Sequence, residues 1–231
     1  MITIREAGER GVTRIDWLDS RHSFSFGDYH DPEHMGFRAL RVINDDRIAA
    51  GGGFGMHPHR DMEILTFVLD GALEHRDSLG HKEALRPGEV QRMSAGTGIW
   101  HSEYNASQTA PVHLFQIWIQ PDQRGVAPAY EQKRLFADGE RGMRLAAGPA
   151  GSGALFTIHQ DAEVYQGRLE AGAAIDHVLP AGRHAWLQVM RGTVHAGARQ
   201  LRQGDAAVYS GEEQITARAE EASDVLLFVL K

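Results

Sequence analysis

The chain has 231 residues, 42% of them hydrophobic, a formal net charge of −7 and no cysteine. This length and composition suit one large or two smaller domains with a packed core, and they exclude disulfide staples and thiol redox chemistry. The acidic balance argues against a surface built to neutralise phosphates, so direct nucleic-acid binding is not expected.

Residues 1–10 carry charges at short intervals and lack the apolar stretch of a secretory signal, and no run suits a membrane span. A cytoplasmic protein is expected. Residues 2–5 read as a short edge strand and 8–11 as a turn. Ser23-Phe24-Ser25-Phe26 alternates with the period of a half-buried strand, and 39–43 does the same before an expected turn at Asn44-Asp45-Asp46. Between them, the polar loop 27–36 holds His30, Asp31, Pro32 and His34; neither histidine has a ligand partner at i+2, and both are expected as loop residues.

From residue 47 the expected strands are closely spaced, at 47–50, 56–59, 63–69, 71–77, 83–85, 89–93, 101–104 and 113–119. Asp70-Gly71, Leu79-Gly80, Arg86-Pro87-Gly88 and Gly96-Thr97-Gly98 supply turn chemistry between them. Helical periodicity is absent over any useful length. An all-β protein follows, with sandwich or barrel architecture. Residues 121–153, rich in Gly, Ala, Gln and charge, read as a passage between domains, with a short helical or irregular stretch around 130–136. Strands resume at 155–159, 164–169, 175–179, 185–190, 193–196, 206–209, 214–217 and 225–230.

The second half repeats the first. Leu69-Asp70-Gly71 matches Met190-Arg191-Gly192, Pro87-Gly88-Glu89-Val90 matches Gln203-Gly204-Asp205-Ala206, and 114–119 resembles 225–230.

Two short pieces in the first half carry chemistry. His57-Pro58-His59 follows a glycine run, and His101-Ser102-Glu103 follows Gly96-Thr97-Gly98. In a strand, residues i and i+2 project from one face, so each piece presents two metal-binding side chains together. Three imidazoles and a carboxylate suit a divalent transition metal such as iron, nickel, copper, manganese or zinc. A single histidine here would ordinarily be a surface or hydrogen-bonded core residue; two pairs of equal parity behind glycine-rich approaches make the case for a cage of His57, His59, His101 and Glu103. Counting from the matched glycines puts Val178 and Pro180 opposite the first pair and Ala217 and Ala219 opposite the second. The second copy is therefore expected to lack a cage, with His177 and His184 as ordinary imidazoles.

These motifs, with His22-Ser23-Phe24-Ser25-Phe26-Gly27, Glu63 and Asn105, resemble the two motifs of the cupin superfamily and, within it, the pirin family of short bacterial quercetin 2,3-dioxygenase-like members. Gly96 departs from the pattern by replacing the usual proline of the second motif. The resemblance implies a bicupin: two tandem antiparallel β-barrels (double-stranded β-helices) facing each other, a metal-binding domain at 1–132 and a degenerate domain without metal ligands at 133–231.

The resemblance also implies one metal ion, Fe2+ first, with Ni, Cu, Mn, Co or Zn as alternatives, held by His57, His59, His101 and Glu103. In many other cupins the carboxylate ligand stands at the position of Glu63. Along an unbroken strand Glu63 would lie about 13 Å from His59, whereas Glu103 lies about 7 Å from His101; Glu103 is the expected ligand and Glu63 the competitor. The implied reaction is cleavage of the flavonol quercetin by dioxygen with release of carbon monoxide, Glu103 also serving as the base. The alternatives are a redox-sensing regulator that binds a protein partner, and a cupin-type isomerase or hydrolase. Phe24, Phe26, Phe54, Met56, Met93 and Trp100 are expected in the barrel core.

Overall fold

A computed structural model describes residues 2–231. The strands are β1 (Ile2–Arg5), β2 (Gly11–Ile15), β3 (Leu18–His22), β4 (Leu40–Ile48), β5 (Gly53–His59), β6 (Glu63–Asp70), β7 (Leu73–Asp77), β8 (Lys82–Leu85), β9 (Glu89–Ser94), β10 (Ile99–Asn105), β11 (Val112–Ile119) and β12 (Ala129–Arg134). They continue with β13 (Gly142–Gly148), β14 (Phe156–Thr157), β15 (Ala162–Leu169), β16 (Ala174–Val178), β17 (His184–Arg191), β18 (Thr193–Ala196), β19 (Arg199–Arg202), β20 (Ala206–Ser210), β21 (Gln214–Ala219) and β22 (Ser223–Leu230). Among the described residues the one helical element is a 3-10 turn, Ala7–Glu9, and no helix is long and apolar enough to cross a membrane.

The strands form two compact units, each a pair of seven- and four-stranded sheets, so the expected all-β, two-barrel bicupin architecture is present. In the unit made of Gly11–Leu135 and Ile158–Gln160, the sheet orders are β12-β9-β6-β11-β4-β3-β2 and β5-β10-β7-β8. In the other unit they are β1-β20-β17-β22-β15-β13-β14 and β16-β21-β18-β19. The two orders correspond strand for strand, with β12 beside β9 in one and β1 beside β20 in the other. Residues up to Arg10 are thus grouped with the second unit, whereas the sequence division at 132/133 placed them in the first. That division also cuts through β12, whose pairing with β9 ties it to the first unit as far as Leu135.

Several local expectations are corrected. The stretch 23–26 is no strand: after His22 pairs with Asn44, the chain turns away and its amides bond within the following loop, Ser25 N–H to His34 O and Phe26 N–H to Tyr29 O. Ser23, Phe24 and Ser25 are all buried, so their alternation marks no exposed face. Asn44-Asp45-Asp46 is no turn either; it forms the middle of β4. The stretch 130–136 is mostly strand β12 and not helix. Met56 and Trp100 are exposed, each by more than half, whereas Phe24 and Met93 are fully in the core.

Within the first unit the inner face of the larger sheet is graded. At one end Leu18, Ile48, Val112 and Leu114 pack with Val68, Leu73 and Leu85 into an apolar plug, each such side chain contributing about 1.5–3 kcal/mol by leaving water. The register then brings a polar row across six strands: His22, Asn44, Gln116, Thr66, Gln91 and Gln132 are successive cross-strand partners. Beyond it Trp118, Ile64, Met93 and Tyr130 restore apolar character. A polar row inside a barrel costs desolvation unless every group finds a partner, so it points to a site.

Candidate metal centre

The pairing of β5 with β10 sets His57 directly opposite His101, and a bulge between His101 and Glu103 shifts the acid to a position opposite Phe54. The glycines at the start of β5 make this approach feasible: a Cβ on Gly53 would collide with the Glu103 carbonyl oxygen and the Tyr104 Cα. The three imidazoles converge, with ring centroids 4.4 Å apart for His57–His101 and 4.8 Å for both His57–His59 and His59–His101. One ligand nitrogen from each lies within 4.8 Å of the other two.

Their hydrogen bonding fits a metal. His57 Nδ1–H donates to the Gly55 carbonyl at 2.7 Å, which leaves Nε2 with its lone pair outward. His101 is fully buried, and neither ring nitrogen has a hydrogen-bond partner among the described residues, an arrangement that is costly unless something else takes the lone pair. Burial, reinforced by the neighbouring imidazoles, lowers the His59 pKa to about 4. Burial, with Glu103 opposing it, likewise takes His101 to about 4. Both rings are neutral at pH 7 and able to ligate.

Glu103 is also buried. Desolvation works against its ionisation, but the His101 and His75 imidazoles and the amides of Gln116 and Gln91 outweigh it, and its pKa falls below the usual carboxylate value. Gln116 Nε2 donates to one oxygen at 2.7 Å and Gln91 Nε2 to the other at 3.2 Å. The polar row of the larger sheet therefore grips the acid, and Trp118 Nε1 donates to Gln116 Oε1 at 3.0 Å to fix the amide.

A second group overlaps the first: His75, His101 and Glu103 also bring three ligand atoms within 4.8 Å of one another. His75 sits opposite Glu103 on β7, its Nε2 3.0 Å from Asp77 Oδ2, and its ring stacks on Tyr130 at 4.2 Å. Sequence reading passed over it, although His75-Arg76-Asp77 shows the same i, i+2 spacing inside an expected strand. Glu63 lies in neither group. The chain turns at Arg60-Asp61, with Asp61 at φ +46°, and carries Glu63 into the other sheet. There it accepts from Ser94 Oγ at 2.6 Å and His159 Nδ1 at 2.7 Å.

Two histidines outside these groups hold ordinary side-chain partners. His34 Nδ1 bonds Asp31 at 2.7 Å, and His184 Nδ1 lies 3.0 Å from Ser210 Oγ. In the second unit β16 pairs with β21 so that Ile175 faces Ala217 and His177 faces Ile215. By register, then, Ile175 and His177 take the places of His57 and His59, a correction to Val178 and Pro180. Counting from the glycines missed this because the connection from β16 to β17 is longer than that from β5 to β6. Among the described residues no group of three ligand atoms forms in that unit.

Above the first three histidines opens a cavity of about 470 Å³, walled by Trp17, Phe26, Phe54 and Trp118. Phe26 meets Trp118 edge-on at 5.4 Å and Trp17 meets Phe54 edge-on at 5.0 Å, giving the cavity aromatic walls suited to an apolar ligand. His57, His59 and Glu103 line this cavity, whereas His101 is fully buried beside them.

Comparison with known proteins identifies the family. The family model Pirin matches residues 4–119, and the model described as Quercetinase C-terminal cupin domain matches 145–230. The chain is 49% identical over 230 residues to a protein of Escherichia coli K12 named quercetin 2,3-dioxygenase, covering 100% of this chain and 99% of that one. The crystal structure of YhhW from Escherichia coli superposes with a TM-score of 0.95 at 49% identity, over 100% of this chain and 98% of that one. A second structure, of bacterial pirin YhhW in complex with nickel(II), gives 0.93 at 50% identity, over 100% and 99%. Matched along its whole length in sequence and in fold, the chain belongs to the pirin family.

Proposed function

We propose that the protein is a metal-dependent dioxygenase that adds dioxygen across the heterocycle of quercetin at C2 and C4, breaking the C2–C3 and C3–C4 bonds so that C3 leaves with its oxygen as carbon monoxide. The observation that carries this reading is the buried His101, unpartnered at both nitrogens among the described residues and packed against the histidines that line an aromatic-walled cavity. His57, His59, His101 and Glu103 would hold one divalent transition metal, Fe2+ first among them, with nickel supported by the relative crystallised with it. Such an ion, with positions left open, binds oxygen ligands, lowers the pKa of a bound hydroxyl and supports dioxygen chemistry.

The chain's own groups do the rest. Glu103, ionised and oriented by Gln91 and Gln116, accepts the proton of the flavonol 3-hydroxyl. Trp118 and Phe26 line the cavity and pack against the bound ring, displacing water from its face. His57 stays in one tautomer through its bond to Gly55.

The test is carbon monoxide release from quercetin in air by protein loaded with iron or nickel. Glu103→Gln is expected to lose turnover by about a hundredfold or more, and Glu63→Gln much less, because Glu63 is committed to Ser94 and His159. The reverse order transfers the carboxylate role to Glu63. Absence of turnover with any metal, together with capture of a protein partner, would replace the enzyme with a regulatory role.

A further inference from the structure

The grip on Glu103 uses only one side of the polar row. Gln91 and Gln116 serve the acid, whereas His22 and Asn44 lie at the other side, on β3 and β4, next to Ser20 and Asp46 one register step away. All four side chains line the same cavity as His57, His59 and Glu103, and all are buried. They form a network. Thr13 Oγ1 lies 2.9 Å from His22 Nε2, His22 Nδ1 lies 2.7 Å from Asn44 Oδ1, and Ser20 Oγ donates to Asp46 Oδ1.

The network stops one bond short at two places. Asn44 uses its carbonyl oxygen on His22, and among the described residues its Nδ2 amide has no acceptor; Asp46 takes the Ser20 hydroxyl on one oxygen, and among the same residues its other oxygen has no donor. Neither atom is among the sealed, unpartnered ones, so both are reachable from the cavity. A pre-aligned donor beside an acceptor is the complement of a hydroxyl group, which both accepts and donates. Ring contacts run from His22 through Phe26 and Trp118 to His59, at 5.3, 5.4 and 4.8 Å, so the cavity has aromatic surface linking this wall to the histidines, against which an aromatic ring can pack.

We infer that Asn44 and Asp46 form a second anchoring point, which binds a phenolic hydroxyl of a planar polyhydroxylated substrate while its chelating oxygens face the histidines. The inference rests on the flavonol reading above and deepens it: it makes these two residues determinants of which flavonol is accepted. Burial and the neighbouring Asp45 and Glu103 charges, with Ser20 opposing, push the Asp46 carboxyl up to about 7, so at neutral pH it is available in both its donor and acceptor forms.

The probes are quercetin and 3-hydroxyflavone, which keeps the 3-hydroxy-4-keto group but has no other hydroxyl. Both are titrated without air into nickel-loaded protein, so that binding is read without turnover. The wild type is expected to prefer quercetin by about tenfold or more, as sites with preset hydrogen-bonding groups do when the ligand hydroxyl is missing. Asn44→Leu should bring that preference close to unity and leave 3-hydroxyflavone affinity within about twofold. Asn44→Asp, which keeps the volume and the oxygen that His22 donates to, guards against a failure of the leucine variant to fold and should also lower the preference. Folded, nickel-replete variants that keep the wild-type preference overturn the anchor while leaving the flavonol reading standing, as does a wild type that binds both probes equally. A wild type that binds neither probe removes the flavonol reading itself and the anchor with it.

Discussion

Asp46 shows how one carboxyl can register its surroundings. It is buried on the inner face of β4, accepts from Ser20, and is pushed up to about 7, chiefly by desolvation. A carboxyl whose folded pKa exceeds its unfolded value of 3.8 favours the folded state fully below pH 3.8, and that contribution is lost as the pH rises through 7. Asp46→Asn, in protein freed of metal by a chelator, should therefore gain stability over the wild type by about 2–3 kcal/mol between pH 5 and pH 8. Urea unfolding at the two pH values checks this, and a constant difference would contradict it. The same residue shows what sequence could and could not reveal. His57, His59, His101 and Glu103 were legible because a metal needs ligands of one parity on two strands. Asn44-Asp45-Asp46 has turn-forming residues, and only the register of β4 between β3 and β11 shows that they are an interior wall. Met56 and Trp100 are each one residue out of step with His57 and His101, so the parity that turns the ligands inward turns these two side chains outward.

At the scale of elements, the pairing of β5 and β10 and its bulge place the candidate ligands, and Gly53 permits that pairing. Gly53→Ala introduces a Cβ against the β10 backbone beside Glu103, where no flexible side chain can yield. The variant should lose about 1–3 kcal/mol of stability and bind nickel about tenfold or more weakly as Glu103 is displaced; thermal melting and a metal-competition titration read the two effects. A variant with wild-type metal affinity would show that the glycine serves only the strand. Gly96, the departure from the usual proline, has φ +46°, a value closed to proline, and a Cβ there would strike the Val126 carbonyl. The hairpin of β2 and β3 was not legible, because Gly11–Ile15 is largely exposed and its sequence carries no marked alternation. The turn glycines, by contrast, marked the hairpins of both units.

At the scale of the whole molecule, the repeat was readable from matching turns, but the membership of β1 was not. An edge strand of four residues says little about its neighbour; the register of Ile2 with Tyr209 and Arg5 with Ala206 assigns it to β20. Ala7 N–H donates to Asp205 at 2.7 Å, and Arg5 and Arg10 are buried, so the segment is packed as well as paired. A fragment of residues 136–231 would expose the β20 edge and is expected to self-associate. Joining residues 1–10 to it through a flexible linker should restore a monodisperse species by light scattering. A fragment that is monodisperse without them would show that β1 adds little.

The place of β1 also governs the order of assembly. During synthesis this strand leaves the ribosome before its partner has been translated, and at about 5–20 residues per second the wait for Ala206–Ser210 is about 10–40 s. The main part of the unit that carries the histidines, Gly11–Leu135, is complete well within that interval, while the nascent strand stays uncommitted. Translation speed across the second half thus sets how long an open strand edge is offered to other chains, and a slow stretch there would raise the risk of mispairing without altering any residue of the finished protein.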